Sequence, residues 1–258
     1  DQENSGERHY TVPDGVTNIL LQDNKNYIMS SYDSIFSIHP SLSKKQLLTK
    51  IKFESPNNRI NDADVDLNGQ IWISTMDIQQ KSQTGKVICH DTNLKPIYSD
   101  NSYIISNGPV FDYERNVGYV TDSIKRIIYI FSINDLSRNG INKKVFLSMN
   151  KIDGNPDGMT VDKKGNLWVA MWGSGKVCCF DKQGSLKLIL QLPVSKVTSC
   201  TFGGKNLNEL FITTASVGLN DIEAERQPHA GKLFKFVTQE QGYASNWYRS
   251  ENIHDLYH

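Results

Sequence analysis

The 258-residue chain carries 28 acidic and 28 basic side chains, so its charge gives no reason to expect binding to nucleic acid or to an anionic membrane. Its longest apolar run, RIIYIFSI at residues 126–133, is too short to span a membrane, and its four cysteines lack the spacing of a disulfide framework or a zinc site. We therefore expect a soluble, cytoplasmic monomer with reduced thiols whose partner is a small neutral or weakly charged molecule.

The predicted elements repeat along the chain. Five stretches each combine a short apolar strand, a polar turn and a second strand that opens on an aromatic residue; in order they are VTNILLQDNKNYIMSS, INDADVDLNGQIWIST, SNGPVFDYERNVGYVTD, GNPDGMTVDKKGNLWVAMW and TSCTFGGKNLNELFITT. The aromatic residues are Tyr27, Trp72, Tyr119, Trp168 and Phe211, at intervals of 45, 47, 49 and 43 residues. A third strand follows each pair, from SIFSIHP in the first unit to GKLFKFV in the last.

A period near 45 residues with three or four strands per unit predicts the blades of a β-propeller. We expect one all-β propeller domain over residues 1–258, with poorly matching ends at 1–9 and 240–258. Only LNDIEAERQ at residues 219–227 could form a helical turn.

Polar residues stand at the head of the first strand in every unit. They are Thr17, Asn61, Asn107, Asp157 and Ser199. The first strand of each propeller blade lines the central channel, so these side chains should converge at one end of the axis. Such a ring could hold a hard cation through oxygen ligands, or it could simply be a wet channel mouth.

Several motifs together resemble one known family. NNRINDADVDLNGQIWISTM, ISNGPVFD, PDGMTVDKKGNLWVAMWGSGKV, LPVSKVTSCTFGG and QPHAGKLFKF occur in the order and spacing of the SMP-30/gluconolactonase/luciferin-regenerating group, which includes regucalcin. The resemblance covers roughly residues 10–237. It implies a six-bladed propeller with one divalent metal ion in its channel, and for the enzymes of the group it implies hydrolysis of sugar lactones.

The resemblance also implies roles for single residues. Asn107 and Asp157 match two metal ligands of the family, and Asp157 also matches its proton acceptor. Arg59 and Asn61 match the sugar-contacting residues, and Asp77 lies near a position that often carries an acidic substrate contact. An amide and a carboxylate oxygen suit Ca²⁺, Mg²⁺ or Mn²⁺, with Zn²⁺ also possible.

The sequence departs from the family pattern at its start. The family's third metal ligand, a Glu in an EGP motif, has no counterpart, and the stretch from Glu7 to Gly15 resembles the last strand of a first blade. Five blades can be counted where six are expected, and the C-terminal GYASNWYRSENIHDLYH has no blade pattern to replace the sixth. Ala63 and Ser74 stand where the family usually has glycine, which bears on specificity.

Three explanations are open: a fragment, as the first residue Asp1 suggests, a propeller that closes with five blades, or an inactive paralogue. The rival to a lactonase is therefore a non-catalytic propeller that binds calcium weakly or serves as an interaction platform.

Two other patterns are set aside. DVDLNGQIWIST at residues 64–75 matches part of an EF-hand loop, but Thr75 stands where the bidentate Glu is needed and Asn-Gly between apolar runs favours a hairpin. The six histidines form no HxH or HExxH pair, and neither Ser106 nor Ser199 lies in a GxSxG motif. We expect neither a histidine metal site nor serine catalysis.

Overall fold

The strands of the computed structural model group into antiparallel sheets in the order of the sequence. The structure describes residues 15–249 apart from 24–25, 41–44 and 137–139. The first sheet contains β1 (Val16–Gln22), β2 (Tyr27–Ser31), β3 (Ser34–Ile38) and β4 (Lys45–Lys50). The second contains β5 (Asn58–Val65), β6 (Ile71–Asp77), β7 (Gly85–His90) and β8 (Pro96–Tyr103).

The remaining sheets repeat this plan. The third contains β9 (Ser106–Asp112), β10 (Val117–Asp122), β11 (Ile127–Ser132) and β12 (Lys143–Ser148), with a short 3₁₀ helix at Ile133–Asp135. The fourth contains β13 (Asn155–Val161), β14 (Leu167–Trp172), β15 (Lys176–Phe180) and β16 (Leu186–Gln191). The fifth contains β17 (Val197–Gly203), β18 (Glu209–Thr214) and β19 (Phe234–Val237).

The first strands of the five sheets lie side by side around the channel. β1 packs against β5, β5 against β9, β9 against β13, and β13 against β17. Each sheet is ordered from its first strand outwards, as in the blade of a propeller. The prediction of an all-β propeller with five countable blades is confirmed.

The aromatic residues that mark the repeat pack between neighbouring sheets. Trp72 is 1% exposed and lies edge-on to Phe111 of the third sheet, with ring centroids 5.4 Å apart. Trp168 repeats the arrangement against Phe202 of the fifth sheet at 5.7 Å. Burying such large side chains is a main source of the packing free energy between blades.

A buried aspartate orients each of these tryptophans. The Asp66 carboxylate accepts hydrogen bonds from Trp72 Nε1 at 3.0 Å and from the backbone N–H groups of Asn68 and Gln70. Asp162 makes the equivalent bonds, including one of 2.9 Å from Trp168 Nε1. These aspartates close the turn between two strands, so the hairpin at residues 64–75 is confirmed in place of an EF-hand.

The four cysteines are free and buried. Cys178 packs in the core between the third and fourth sheets, whereas Cys179 packs between the fourth and fifth. The two therefore point to opposite faces of β15, as their adjacency in a strand predicts.

The segment after the fifth sheet crosses the far end of the channel. Residues 241–249 contact every sheet there, and each sheet supplies a hydrogen-bond partner from the turn after its first strand or from that strand's end: Leu207, Lys163, Tyr113, Val65 and Asp23. Within this segment β20 (Trp247–Tyr248) pairs in parallel with β1. The absence of a blade pattern after residue 240 is thus compatible with an ordered structural role.

The predicted helical turn is confirmed as α1 (Asp221–Arg226). Asn220 caps it by accepting a hydrogen bond from Glu223 N, while the Glu223 side chain accepts one from Asn220 N. The stretch that resembles the last strand of a first blade lies outside the described residues except for Gly15. Within the described part of the chain, no helix has the length and apolar character needed to cross a membrane.

Candidate functional site

Each inner strand has a pairing irregularity near its start. The register with the second strand shifts around Thr17 in β1, Asn61 in β5, residues 108–109 in β9, residues 157–158 in β13 and Thr198 in β17. Such bulges bend a strand and redirect its side chains, and they often occur beside active sites. In the fifth sheet the bulged residue is Thr198, one position before the predicted Ser199.

A chain of amide hydrogen bonds joins two of the predicted site residues. Asn61 Nδ2 donates to Asn107 Oδ1 at 3.0 Å and to the backbone oxygen of Ser106 at 2.9 Å. Asn107 Nδ2 donates to Ser123 Oγ at 2.8 Å, so the amide oxygen points the other way, towards Asn61. Asn107 is 3% exposed, and Ser123 fixes which of its atoms faces the site.

Asp157 and Arg59 form the charged part of the site. Burial raises the pKa of Asp157 well above its usual value, the Asp62 carboxylate raises it further, and the Arg59 guanidinium lowers it. Burial lowers the pKa of Arg59, while its interactions with Asp157 and Tyr32 raise it. Arg59 Nη1 also donates to the backbone oxygen of Ile60 at 2.8 Å, which holds the guanidinium against β5.

Asp62 is a site residue that the sequence analysis did not single out. Its Oδ2 accepts the backbone N–H of Gly108 at 2.7 Å, and its Oδ1 accepts that of Ala63 at 2.9 Å. Burial raises its pKa despite these two hydrogen bonds. Asp62 thereby ties β5 to the residue after Asn107, and its place directly after Asn61 in the NRIND motif was the available signal.

Asp77 occupies a different environment. Its carboxylate accepts hydrogen bonds from the backbone N–H groups of Gln79, Lys81 and Ser82, and these lower its pKa. Asp77 pairs with Asn58 whereas Arg59 pairs with Met76, so Asp77 and Arg59 stand on opposite faces of the sheet. The structure thus places Asp77 at the base of the loop at residues 78–82.

A cavity of about 350 Å³ extends along the channel from Asp62 to the C-terminal segment. Its wall includes Asp64 of β5, Gly108 of β9, Met159 of β13 and, at the far end, Asn246. Burial raises the pKa of Asp64 to about 7; the backbone N–H of Val65 opposes the shift, and the carboxylates of Asp62 and Asp66 add to it. Asn246 Nδ2 donates to Val65 O at 2.8 Å, so the C-terminal segment closes this end of the cavity.

The donors at the channel mouth fit a hard divalent cation. Asn107 offers an amide oxygen, Asp157 offers a carboxylate, and the pKa values of Asp157 and its neighbour Asp62 are both raised by burial, which a bound cation would offset. In the part of the chain that the structure describes, no cluster of three or more His, Cys, Asp or Glu side chains could hold a metal ion. The residues that the family resemblance implies as ligands, Asn107 and Asp157, would thus offer amide and carboxylate oxygens.

Comparison with known proteins extends these observations. The family model described as SMP-30/Gluconolactonase/LRE-like region matches residues 1–216. Regucalcin of Danio rerio is 35% identical over 188 residues, which are 70% of this chain and 63% of that protein. A candidate sugar lactone lactonase of Bacillus subtilis, YvrE, is 32% identical over 231 residues, which are 88% of this chain and 78% of that protein.

A solved structure agrees in fold. The calcium-binding protein regucalcin of Agrobacterium tumefaciens superposes with a TM-score of 0.83 at 22% identity, covering 93% of this chain and 81% of that one. The chain spans less than two thirds of the length of the Danio rerio regucalcin. With the family model covering residues 1–216 and relatives above 30% identity, the chain belongs to the SMP-30/gluconolactonase/LRE-like family.

Proposed function

We propose that the protein hydrolyses a sugar lactone at the mouth of the propeller channel in a reaction that depends on a divalent metal ion. The carrying observation is that Asn61 bonds to Asn107, that Asp62 bonds to the neighbouring Gly108, and that Asp157 interacts electrostatically with both Asp62 and Arg59. Family membership supports lactonase-type chemistry in general.

In this proposal Asn107 and Asp157 hold Ca²⁺, Mg²⁺, Mn²⁺ or Zn²⁺. Ser123 supports the ligand geometry because its hydroxyl accepts the Asn107 amide N–H at 2.8 Å, so that Asn107 Oδ1 faces the site, where it also accepts from Asn61 Nδ2. When bound, the cation supplies polarisation of the lactone carbonyl and a lowered pKa for a nearby water.

Asp157 acts as the general base. It takes the proton from the attacking water and returns it to the ring oxygen as the carbon–oxygen bond of the lactone breaks. A base must be deprotonated, and Arg59 favours that state by lowering the pKa of Asp157.

Arg59 and Asn61 orient the substrate. The guanidinium presents several N–H donors in a fixed plane, which suits ring and hydroxyl oxygens. The Asn61 amide N–H groups donate to Ser106 O and Asn107 Oδ1, so Asn61 Oδ1 is the atom available to accept a hydrogen bond from a substrate hydroxyl. Asp77 is proposed to hold the loop at residues 78–82 in place, since its carboxylate accepts three backbone hydrogen bonds from that loop.

The test is hydrolysis of gluconolactone after chelation and again after each of the four cations is added. We expect turnover to return with at least one cation, and Asp157→Ala to lower kcat by about 100-fold or more. Asp153→Ala is the matched control, because that carboxylate lies four residues away with its side chain 91% exposed. Full activity in Asp157→Ala would exclude this mechanism.

Failure of a folded sample to turn over any lactone with any cation would instead favour the non-catalytic propeller. The mixed amide and carboxylate donor set gives that alternative its physical basis, since fewer charged ligands weaken calcium binding. We further propose that the protein is a monomer and that it lies in the cytoplasm; the four free, buried cysteines support the second point.

A further inference from the structure

Five apolar residues surround the channel mouth, one in each sheet. Each lies at or just after the end of the second strand: Tyr32, Ile78, Ile124, Trp172 and Val217, here called the apolar rim. Inner strands begin at the mouth and second strands return to it, so the turns that follow second strands also lie at the mouth. Four of these side chains are 51%, 49%, 37% and 69% exposed in chain order, and Trp172 is half-buried.

The apolar rim adjoins the candidate site directly. Ile60 N donates to Tyr32 O at 2.6 Å, which places Tyr32 beside Arg59. Ile124 follows Ser123, the residue that holds the Asn107 amide. Trp172 pairs with Asn155, two residues before Asp157.

The fifth member joins the rim through a lysine. Lys196 Nζ donates to the backbone oxygen of Val217 and also lies 5.6 Å from the centre of the Trp172 ring. This bridge keeps the apolar side chains of the fourth and fifth sheets together at the mouth.

The opposite end of the propeller differs. Among the described residues, the turns between first and second strands carry one large exposed apolar side chain, Leu67 at 55%, and the C-terminal segment at that end adds Trp247 at 46%. Single exposed apolar residues are ordinary, but their recurrence at the same place in five sheets, around a polar site, is the pattern of a binding surface.

We propose that the apolar rim binds an apolar substituent of the substrate, so that the preferred sugar lactones are those that carry an alkyl or aryl group besides their hydroxyl groups. This inference rests on the proposed function: the ring enters the mouth, where Arg59, Asn61 and Asp157 contact its oxygens, and the substituent lies across the rim. A substrate whose ring carries only hydroxyl groups would leave the rim exposed to water.

The experiment compares δ-valerolactone with δ-undecalactone, which has the same ring and an added hexyl chain, using the full chain and the cation that supports turnover. If the rim covers half of the hexyl chain, methylene transfer free energies predict a kcat/KM about 50-fold higher for δ-undecalactone. Ile78→Ser and Val217→Ser together should reduce that preference about fivefold through KM. Leu67→Ser, equally exposed at the opposite end, should leave the preference intact.

The outcomes separate the two proposals. Turnover of both lactones with no preference for the hexyl chain would overturn the rim assignment and leave the hydrolysis intact. A preference that persists in the double variant, or that falls equally in Leu67→Ser, would also overturn it. Absence of turnover with every lactone and cation would remove the proposed hydrolysis and, with it, this use of the rim.

Discussion

Truncation of Tyr248 should destabilise the whole propeller, although the residue lies beyond the last blade. Tyr248 is 2% exposed, packs against the core between the first and second sheets, and donates from its hydroxyl to Thr92 O at 2.8 Å. Replacing a buried aromatic residue by alanine costs about 3–5 kcal/mol, of which about 1 kcal/mol belongs to the hydroxyl hydrogen bond. At about 2–4 °C per kcal/mol, Tyr248→Ala should lower Tm by about 10 °C.

Urea unfolding of Tyr248→Ala, Tyr248→Phe and Trp247→Ala measures these contributions separately. Tyr248→Phe should cost about 1 kcal/mol, because it removes only the hydrogen bond. Trp247 is the matched control: it shares β20 but is 46% exposed, so its truncation should cost less than about 1 kcal/mol. Equal losses for the two alanine variants would show that the C-terminal segment does not hold the sheets together through Tyr248.

Three further predictions concern the channel. Asp64 has a pKa raised to about 7, so the folded protein keeps this proton while the unfolded chain loses it, and stability falls as pH rises from about 4 to 7. Asp64→Asn should therefore stabilise the chelated protein by about 2 kcal/mol at about pH 8, a value reduced to allow for water in the cavity, and should have no effect at about pH 4. Urea unfolding measures both values, and an equal gain at the two pH values would contradict this. Ser123→Ala should weaken cation binding about tenfold, because it releases the Asn107 amide. Titration calorimetry measures the affinity, and an unchanged value would show that Ser123 does not orient Asn107 for the cation. Arg59→Lys should lower kcat/KM about tenfold in steady-state kinetics despite its retained charge, and wild-type values would exclude a planar donor role.

The repeat could be predicted because the residues that form each strand and turn are close together in the sequence. Alternating apolar strands, polar turns and an aromatic residue at each second strand recur near every 45 residues, and Trp72 and Trp168 pack between sheets as expected. Candidate site residues followed from their repeat positions and from motif matches. The structure joins Asn61 to Asn107 by a hydrogen bond and brings Asp157 within electrostatic range of Arg59.

Contacts between distant segments could not be predicted in the same way. The hydrogen bond from Asn107 to Ser123 spans 16 residues, and that from Gly108 to Asp62 spans 46. The bulge at Thr198 could not be predicted either, because a bulge depends on the register with the second strand and leaves no mark in composition.

The sequence by itself determined the class of fold, the period of its blades and the residue types at the channel mouth, because strand alternation and turn chemistry act over a few neighbouring residues. Only the tertiary structure decided that Asp77 supports a loop, that Asp62 reaches the adjacent strand and that residues 241–249 close the far end of the channel. These outcomes depend on which backbone groups of remote segments come within hydrogen-bonding distance, and that is set by how the five sheets pack around the axis.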